Sequence, residues 1–234
     1  MKRPELLELL GCLLLERESP HPLRVAIDGP DGAGKTTLGD ELARQLAGKR
    51  PVIRAGIDDF HNPREIRYRR GPDSPEGYFL DSFDYDALRG LLLEPLGPGG
   101  SRRYRRALFD YRVDEKVAAP EEEAAPDSIL LFDGVFLLRP ELRSLWDYSI
   151  FVQADFDETL RRAEERDREL MRGVETVRGR YRKRYIPGQE LYFSRCAPQE
   201  IAEVVVDNTD VNEPKLKRSA IDPGSPTESG YRPR

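Results

Sequence analysis

Apolar and polar residues alternate along this chain with two different periods. Four short apolar runs, rich in β-branched and aromatic residues, are typical of buried strands: residues 24–28, 128–133, 148–154 and 203–207. After the first run, leucines recur at helical spacing at Leu38, Leu42 and Leu46, and residues 157–171 form a second helical stretch. Strands that alternate with helices predict an α/β fold with a mostly parallel central sheet and helices on both faces.

The two ends of the chain differ from this central region. Residues 6–15 are leucine-rich and follow basic residues, but glutamates interrupt the run and no cleavage site for a signal peptidase follows. The run is also too short to cross a bilayer. We predict an amphipathic helix in residues 1–20 that packs on a domain of residues 21–211, with no membrane partner. The tail, residues 212–234, has almost no apolar residues and is predicted to be disordered.

Composition narrows the classes of function. Of the 234 residues 35% are charged, and the net charge is −5. This balance argues against a dedicated nucleic-acid binder, although residues 64–70 and 102–106 contain arginine clusters. The two cysteines, Cys12 and Cys196, have no metal-binding spacing, which favours a reducing cytoplasm as the location of the protein.

A complete G-x-x-x-x-G-K-[ST] loop lies between the first strand and the first helix of the domain. Its glycines allow backbone amides to surround a polyphosphate, its lysine supplies a positive charge, and the threonine hydroxyl can hold Mg²⁺. The alternative is a glycine-rich turn without a ligand. The predicted nucleotide-binding residues are Gly29, Asp31, Gly32, Ala33, Gly34, Lys35, Thr36 and Thr37.

Acidic residues stand at three predicted strand ends. Asp28, Asp58 and Asp133 come at or just after apolar runs, and the carboxyl ends of parallel strands share one crevice. Asp133 is predicted to hold Mg²⁺ together with Thr36, and Asp58 to accept a hydroxyl proton from a phosphoryl acceptor. The alternatives are strand-end capping for Asp133 and a turn aspartate for Asp58.

Candidate acceptor residues follow Asp58. His61 could contact the substrate or be a surface residue, and residues 78–86 and 107–114 are mixed aromatic and acidic stretches. Aromatic faces can stack a planar base, whereas carboxylates can bind sugar hydroxyls; the alternative is core aromatics with solvated acids. Residues 157–185 are arginine-rich and could close as a lid over the nucleotide, or form a salt-bridged exposed helix.

The ordered set of these features resembles the uridine kinase branch of the P-loop kinases, which includes phosphoribulokinase and a bacterial type of pantothenate kinase. The resemblance covers residues 22–210. It rests on segments 29–37, 58–61, 81–84, 109–111 and 132–134, and on the arginine-rich segment. It implies a P-loop NTPase three-layer sandwich with an arginine-rich helical lid and a small β-hairpin substrate region. Members of the branch transfer the γ-phosphoryl group of ATP or GTP to a primary hydroxyl with Mg²⁺.

The resemblance also implies roles for individual residues. Lys35 would bind phosphates, Asp58 would be the base, and Asp133 would assist the metal, where the family usually has Glu. The lid arginines Arg162, Arg166 and Arg172 match with a spacing that differs by one residue; Arg166 and Arg172 are predicted to be catalytic and Arg162 to bind substrate. The remaining predicted substrate-binding residues are His61, Asp81, Asp84, Phe109, Tyr111 and Asp114.

Two departures concern the acceptor pocket. Uridine kinases usually have Tyr where His61 stands and His near Asp114. These differences leave open which base the chain recognises, but they do not affect the predicted kinase chemistry. The main hypothesis is an ATP-dependent uridine/cytidine kinase. The alternatives are a kinase of another small alcohol, a nucleotide-dependent switch and, from the arginine clusters, an RNA-binding NTPase. The predicted partner is a small-molecule acceptor, and self-association is left open.

Overall fold

The structure, a computed structural model, describes residues 1–219. The strands of these residues are β1 (Leu23–Asp28), β2 (Val52–Gly56), β3 (Arg103–Tyr104), β4 (Phe109–Asp110), β5 (Glu115–Lys116), β6 (Glu122–Glu123), β7 (Ile129–Gly134), β8 (Tyr148–Gln153), β9 (Val204–Asp207) and β10 (Lys215–Arg218). The α-helices are α1 (Arg3–Leu15), α2 (Lys35–Leu46), α3 (Arg64–Arg67), α4 (Pro75–Asp81), α5 (Tyr85–Leu88), α6 (Phe156–Asp167), α7 (Val174–Arg180), α8 (Ile186–Cys196) and α9 (Pro198–Ile201). Short 3₁₀ turns span Ile57–Phe60 and Arg143–Leu145, and π-helical turns span Arg89–Leu93 and Tyr181–Tyr185.

The main sheet has the strand order β10-β9-β8-β1-β7-β2, and within this sheet, over residues 1–219, only the β10–β9 pair is antiparallel. The register pairs Asp28 with Gly134 across β1 and β7, and Gly56 with Asp133 across β2 and β7. The carboxyl ends of these three strands therefore lie at one edge. The predicted mostly parallel sheet is confirmed.

Alternating residues of the strands face two separate cores. On β1, Leu23, Val25 and Ile27 pack with leucines of α1 and α2, whereas Ala26 packs on the opposite face of the sheet. The second face is covered by helices from residues 75–93 and by α8. Helices on both faces give the predicted three layers.

The N-terminal helix α1 buries Leu6, Leu10, Leu13 and Leu14 against the first of these cores. It is also tied to α2 by Arg3, whose guanidinium donates to Glu41 (2.9 Å from Nε). None of the helices in residues 1–219 is long and apolar enough to cross a membrane.

Regular structure continues past residue 211, where the sequence predicted that the domain ends. Residues 215–218 form β10, which pairs with β9 at the sheet edge, so the predicted boundary is too early. An exposed edge strand needs few apolar residues, and lysines are common on such edges because they discourage further pairing. Only Leu216 of this strand packs on the core. The segment therefore has the composition of a polar tail, and the sequence pattern gave no sign of a strand. Residues 220–234 of the predicted tail lie outside the described residues.

Two short antiparallel pairs lie between α5 and β7. Strand β3 pairs with β6, and β4 pairs with β5. The second pair carries Phe109 and stands close to the 3₁₀ turn after β2, because the Leu108 amide donates to the carbonyl of Asp59 at 2.9 Å. The small hairpin region is thereby placed beside the end of β2.

Candidate active site

The glycine-rich loop joins β1 directly to α2. Gly29, Gly32 and Gly34 have φ angles of 148°, 81° and 92°, in a region that side chains disfavour. A Cβ atom on Gly29 would also collide with the carbonyl oxygen of Val152 on the neighbouring strand β8. The motif glycines therefore allow the loop to turn tightly over the sheet edge, with the N-terminus of α2 behind it, where helix ends favour anions.

Lys35 is the first residue of α2 and is almost completely buried. Its ammonium donates to the carbonyl of Pro30 at 2.7 Å. Burial lowers the pKa of Lys35, while the carboxylates of Asp31, Asp133, Asp28 and Asp58 oppose that change, in decreasing order. The lysine thus supplies a positive charge that interacts with four carboxylates, those of the three strand-end aspartates and that of Asp31 in the loop.

A hydroxyl and a carboxylate meet beside this lysine. The Thr36 hydroxyl donates to Asp133 Oδ2 at 2.6 Å, and Arg54 of β2 donates to Asp133 Oδ1 at 2.8 Å. Hydroxyl and carboxylate oxygens suit Mg²⁺, which usually takes only one or two protein ligands beside phosphate and water. The described residues contain no group of three or more His, Cys, Asp or Glu side chains that could hold a metal by themselves.

Asp58 follows β2 and opens onto the same crevice. Its side chain is reached by solvent, yet neighbouring protein groups desolvate the carboxylate. This desolvation, followed by repulsion from Asp31 and Asp133, raises the pKa of Asp58 to about 6, against the attraction of Lys35. A carboxylate with such a pKa is ionised at neutral pH and accepts a proton more readily than an ordinary aspartate.

Asp28, in contrast, is completely buried and supports the loop from below. It accepts hydrogen bonds from the amides of Gly29 (2.8 Å) and Leu138 (3.2 Å) and from the Tyr192 hydroxyl. Burial raises the pKa of Asp28 to about 6. Its hydrogen bonds are all to protein groups, so its part here is to hold the loop.

His61 lies between two aromatic rings on the acceptor side of Asp58. Its ring centroid is 4.6 Å from that of Phe83 and 4.7 Å from that of Tyr111. Nδ1 donates to the carbonyl of Asp58 at 2.8 Å, which fixes the tautomer. Desolvation lowers the pKa of His61 to about 4, so the imidazole is neutral at physiological pH. Phe83, which joins this cluster, was not among the predicted substrate residues.

The other predicted acceptor residues are bound to protein groups. Asp81 is buried in ion pairs with Arg69 and Arg70, the second at 2.7 Å. Asp84 caps α5 by accepting from the Ala87 amide at 2.8 Å.

Asp114 and Phe109 also have internal partners. Asp114 accepts from the Arg64 amide and from the Arg67 guanidinium, at 2.9 and 2.7 Å, and its φ of 60° marks a tight turn. Phe109 is buried in β4. The structure thus brings His61 and Tyr111 together next to Asp58, whereas the three other carboxylates face arginines or a helix end, and their contact with an acceptor stays a prediction.

The arginine-rich segment contacts the loop through Asp31. Arg166 lies 3.3 Å from the Asp31 carboxylate, and the Tyr181 hydroxyl donates to the same group. Arg166 also forms two hydrogen bonds of 2.7 Å with Asp167, which raise its pKa. Arg166, Lys35 and Tyr181 outweigh burial and hold the pKa of Asp31 below its usual value.

The other two lid arginines occupy different positions. Arg162 donates to the carbonyls of Gly32 (3.3 Å) and Thr209 (2.8 Å), which places it against the loop. Arg172 is exposed, with a left-handed φ of 59°, and within residues 1–219 no side-chain hydrogen bond or ion pair holds it. Of the three arginines, only Arg166 lies at the Asp31 carboxylate.

Several residues of the site gave no signal in the sequence. Arg54 contacts Asp133, Gln189 accepts from the Asp31 amide at 2.8 Å, and Asn208 donates to the Ala33 carbonyl at 2.7 Å. Tyr181 and Tyr192, whose hydroxyls donate to Asp31 and Asp28, also gave no signal in the sequence. A polar residue inside a predicted strand is one signal that could have identified Arg54.

In this fold, the first strand of a mostly parallel sheet leads through a glycine-rich loop into a helix, and carboxylates lie at the ends of adjacent strands. This is the architecture of a P-loop kinase. The solved structure described as a possible uridine kinase from Bacillus stearothermophilus has the same fold, with a TM-score of 0.68 and 21% identity over 86% of this chain and 97% of that chain. No family model matches the chain.

Sequence relatives identify the family. The chain is 32% identical over 165 residues to the uridine kinase of Leuconostoc citreum, an alignment that covers 68% of this chain and 73% of that protein. It is 28% identical over 193 residues to uridine kinase-like protein 3 of Arabidopsis thaliana, of whose length the alignment covers 40%. The chain belongs to the uridine kinase family, and it is a phosphotransferase. The family resemblance and the enzyme class expected from the sequence are confirmed.

A relative with another name matches nearly the whole chain. The pantothenate kinase of Clavibacter michiganensis is 25% identical over 223 residues, which cover 89% of this chain and 66% of that protein. Membership of the family therefore defines the type of reaction more firmly than the acceptor.

Proposed function

We propose that the protein transfers the γ-phosphoryl group of ATP to the primary 5′-hydroxyl of a nucleoside, with uridine or cytidine as the acceptor. The observation that carries this proposal is the position of Asp58. It lies at the end of β2, across the crevice from the phosphate loop, with a pKa raised to about 6. The names of the sequence relatives support a pyrimidine nucleoside as the acceptor.

The donor nucleotide would be held by the loop amides, by Lys35 and by the N-terminus of α2. Thr36 and Asp133 would hold Mg²⁺, whose charge would offset that of the phosphates when it is bound. Arg54 would keep the Asp133 carboxylate oriented through the bond they share. GTP fits the same groups, since all of them recognise phosphates.

The acceptor would enter on the side of Asp58. Asp58 would accept the proton of the attacking hydroxyl, while His61 and Tyr111 would line one side of a planar base. Because His61 is neutral, it would contribute an aromatic surface without a positive charge. Arg166 would leave Asp31 to reach the transferring phosphoryl group, as a lid arginine does.

Both cysteines are free, Cys12 exposed and Cys196 buried. Free thiols are usual in a reducing compartment, which supports our proposal that the reaction takes place in the cytoplasm.

Replacing Asp58 tests the proposal. We expect Asp58→Asn to lower kcat by roughly 10²–10⁴-fold, the usual contribution of a general base, while the affinity for ATP stays within about twofold of the wild type. The neighbouring, exposed Asp59 offers a matched control, and Asp59→Asn should keep most of the activity. A nucleotide-dependent switch needs no acceptor base, so unchanged nucleotide turnover in Asp58→Asn would favour that class.

The acceptor is identified by a screen of nucleosides and other primary alcohols for ATP-dependent phosphorylation. We expect uridine or cytidine to give the highest kcat/KM. The match to a pantothenate kinase supports another small alcohol as the second candidate. If pantothenate or a sugar phosphate is turned over and no nucleoside is, the nucleoside proposal fails and the kinase assignment survives.

A further inference from the structure

A second cavity opens beside the segment that follows His61. It has a volume of about 460 Å³ and is lined by Arg64, Glu65, Tyr68, Pro72 and Arg180. None of these residues belongs to the phosphate loop or to the aromatic cluster around His61. The cavity lies between the region of α3 and the C-terminal end of α7, and its size is typical of small-molecule sites.

The positive charge around this cavity is unusually concentrated. Four guanidinium carbons lie within 6 Å of the centre of the Tyr68 ring, at 5.5 Å for Arg64, 5.7 Å for Arg67, 5.6 Å for Arg180 and 4.8 Å for Arg184. A single aromatic ring attracts a cation but does not neutralise it. The arginines therefore add up to a strong local field.

Three of these arginines have no carboxylate partner within residues 1–219. Arg180 donates to the Pro72 carbonyl at 2.7 Å, and the nearly fully buried Arg184 donates to backbone carbonyls, among them Ser74 (3.0 Å) and Arg67 (3.0 Å). The side chain of Arg64 contacts the Tyr68 ring. Only Arg67 is paired, with Asp114 at 2.7 Å.

The nearby negative groups do not balance this charge. Glu65 lines the cavity, and Asp73 lies 3.9 Å from Lys183, which brings a further positive charge to this side. Arg67 Nε is buried without a hydrogen-bond partner. Burial lowers the pKa of Arg184, and Arg180 adds to that effect by repulsion. An anion in the cavity would reduce this repulsion.

We propose that this cavity binds an anionic group of a small molecule, a phosphate or a carboxylate, between Arg64 and Arg180. Guanidinium groups suit both anions because each can offer paired N–H donors. The volume leaves room for an attached organic body. The anion has two potential sources, an acidic group on the acceptor itself or a separate phosphorylated effector.

Binding is tested with inorganic phosphate as the probe. Full-length protein is first saturated with Mg²⁺ and a non-hydrolysable ATP analogue, so that the phosphate loop is filled, and phosphate is then titrated by calorimetry. We expect one binding event that Arg64→Gln/Arg180→Gln weakens at least about tenfold, since charge-assisted hydrogen bonds are lost. Arg182→Gln is the matched control, because Arg182 is an exposed arginine of the same helical segment that does not line the cavity.

Equal phosphate binding by the wild type, the double variant and the control would overturn the proposal, as would absence of binding to the wild type. Arg64→Gln, at an exposed position, is used alone if the double variant melts below the wild type. This titration needs no turnover, so its outcome is independent of the proposed kinase reaction.

Kinetics then separate the two sources, and this second step rests on the proposed function. If the anion belongs to the acceptor, the double variant should raise KM at least about tenfold for an acidic alcohol such as pantothenate, but not for uridine. If it belongs to an effector, KM for every acceptor should stay the same while phosphate binding is lost. Both results support an anion site.

Discussion

The two sides of the crevice are built in different ways. On the donor side, the phosphate loop is one continuous segment, and the register of β1, β7 and β2 places Asp133 and the end of β2 beside it. On the proposed acceptor side, His61, Phe83 and Tyr111 come from three irregular segments, which meet through their rings and through a few backbone hydrogen bonds, such as that from the Asp84 amide to the Phe60 carbonyl at 2.8 Å. The donor side is fixed by the register of the parallel sheet, whereas the acceptor side is fixed by ring packing and a few hydrogen bonds between loops, which can change without altering the sheet.

This difference predicts that substitutions on the two sides change different kinetic constants. A change on the donor side should impair transfer to every acceptor, because the nucleotide is shared by all of them. A change on the acceptor side should alter KM for the acceptor and leave the nucleotide affinity unchanged.

Among variants confined to one side of the crevice, the largest effect is expected for Lys35→Ala on the donor side. Loss of the buried positive charge that we propose binds the phosphates should lower kcat/KM by roughly 10²–10³-fold with every acceptor tested. Steady-state kinetics with two acceptors measures this, and Lys49→Ala, at an exposed lysine after α2, is the control. An effect that differed strongly between acceptors would show that the two sides are not independent.

The pH dependence of kcat/KM tests the role of Asp58, the residue between the two sides. Asp58 must be ionised to accept a proton, and its pKa in the free protein is about 6. We therefore expect kcat/KM to be level above pH 7 and to fall about tenfold per pH unit below pH 6. His61, with a pKa of about 4, does not titrate in this range.

Asp28 has a similar pKa of about 6, so a variant must assign the acid limb of the profile. The limb should remain in Asp59→Asn and should be absent from the residual activity of Asp58→Asn. If Asp58→Asn keeps the limb, the titrating group is Asp28 beneath the loop, and Asp58 is not the base.

The same contrast explains how much could be predicted from the sequence. The apolar runs and the glycine motif predicted the sheet and the loop between β1 and α2 because both depend on residues adjacent in the chain. The partners of the loop could not be found in this way: Tyr192 and Gln189 reach it from α8, a helix whose sequence carries no sign of that contact. β10 was missed because an edge strand needs only one apolar contact.

On the acceptor side, residue types predicted candidates but not their partners. Asp81 and Asp114 have the chemistry to bind hydroxyls, yet each is paired with arginines from residues 64–70. Such pairing depends on how the short helices α3 and α4 pack, which hydrophobic periodicity does not specify.

An intermediate effect is expected for His61→Asn. The amide can still donate to the Asp58 carbonyl, but the ring contacts with Phe83 and Tyr111 are lost. KM for the acceptor should rise roughly three- to tenfold, in line with the usual contribution of an aromatic pair, and KM for ATP should not change. His21→Asn, at the other histidine of the chain, controls for the substitution itself. A matching rise in KM for ATP would contradict the separation of the two sides.

The smallest effect is expected for Tyr181→Phe, which tests whether the arginine-rich segment is attached to the donor side alone. The Tyr181 hydroxyl donates to Asp31, and its removal leaves Arg166 to hold that carboxylate. Because one hydrogen bond to a charged group is lost, amide hydrogen exchange in residues 174–185 should become several-fold faster. kcat should change by no more than about threefold, since Arg166 remains.

Tyr185→Phe is the control, because it removes a hydroxyl from the same helical segment and should leave the exchange unchanged. If Tyr181→Phe instead raised KM for the acceptor and left exchange as in the wild type, the segment would belong to the acceptor side, and the boundary drawn between the two sides would have to move.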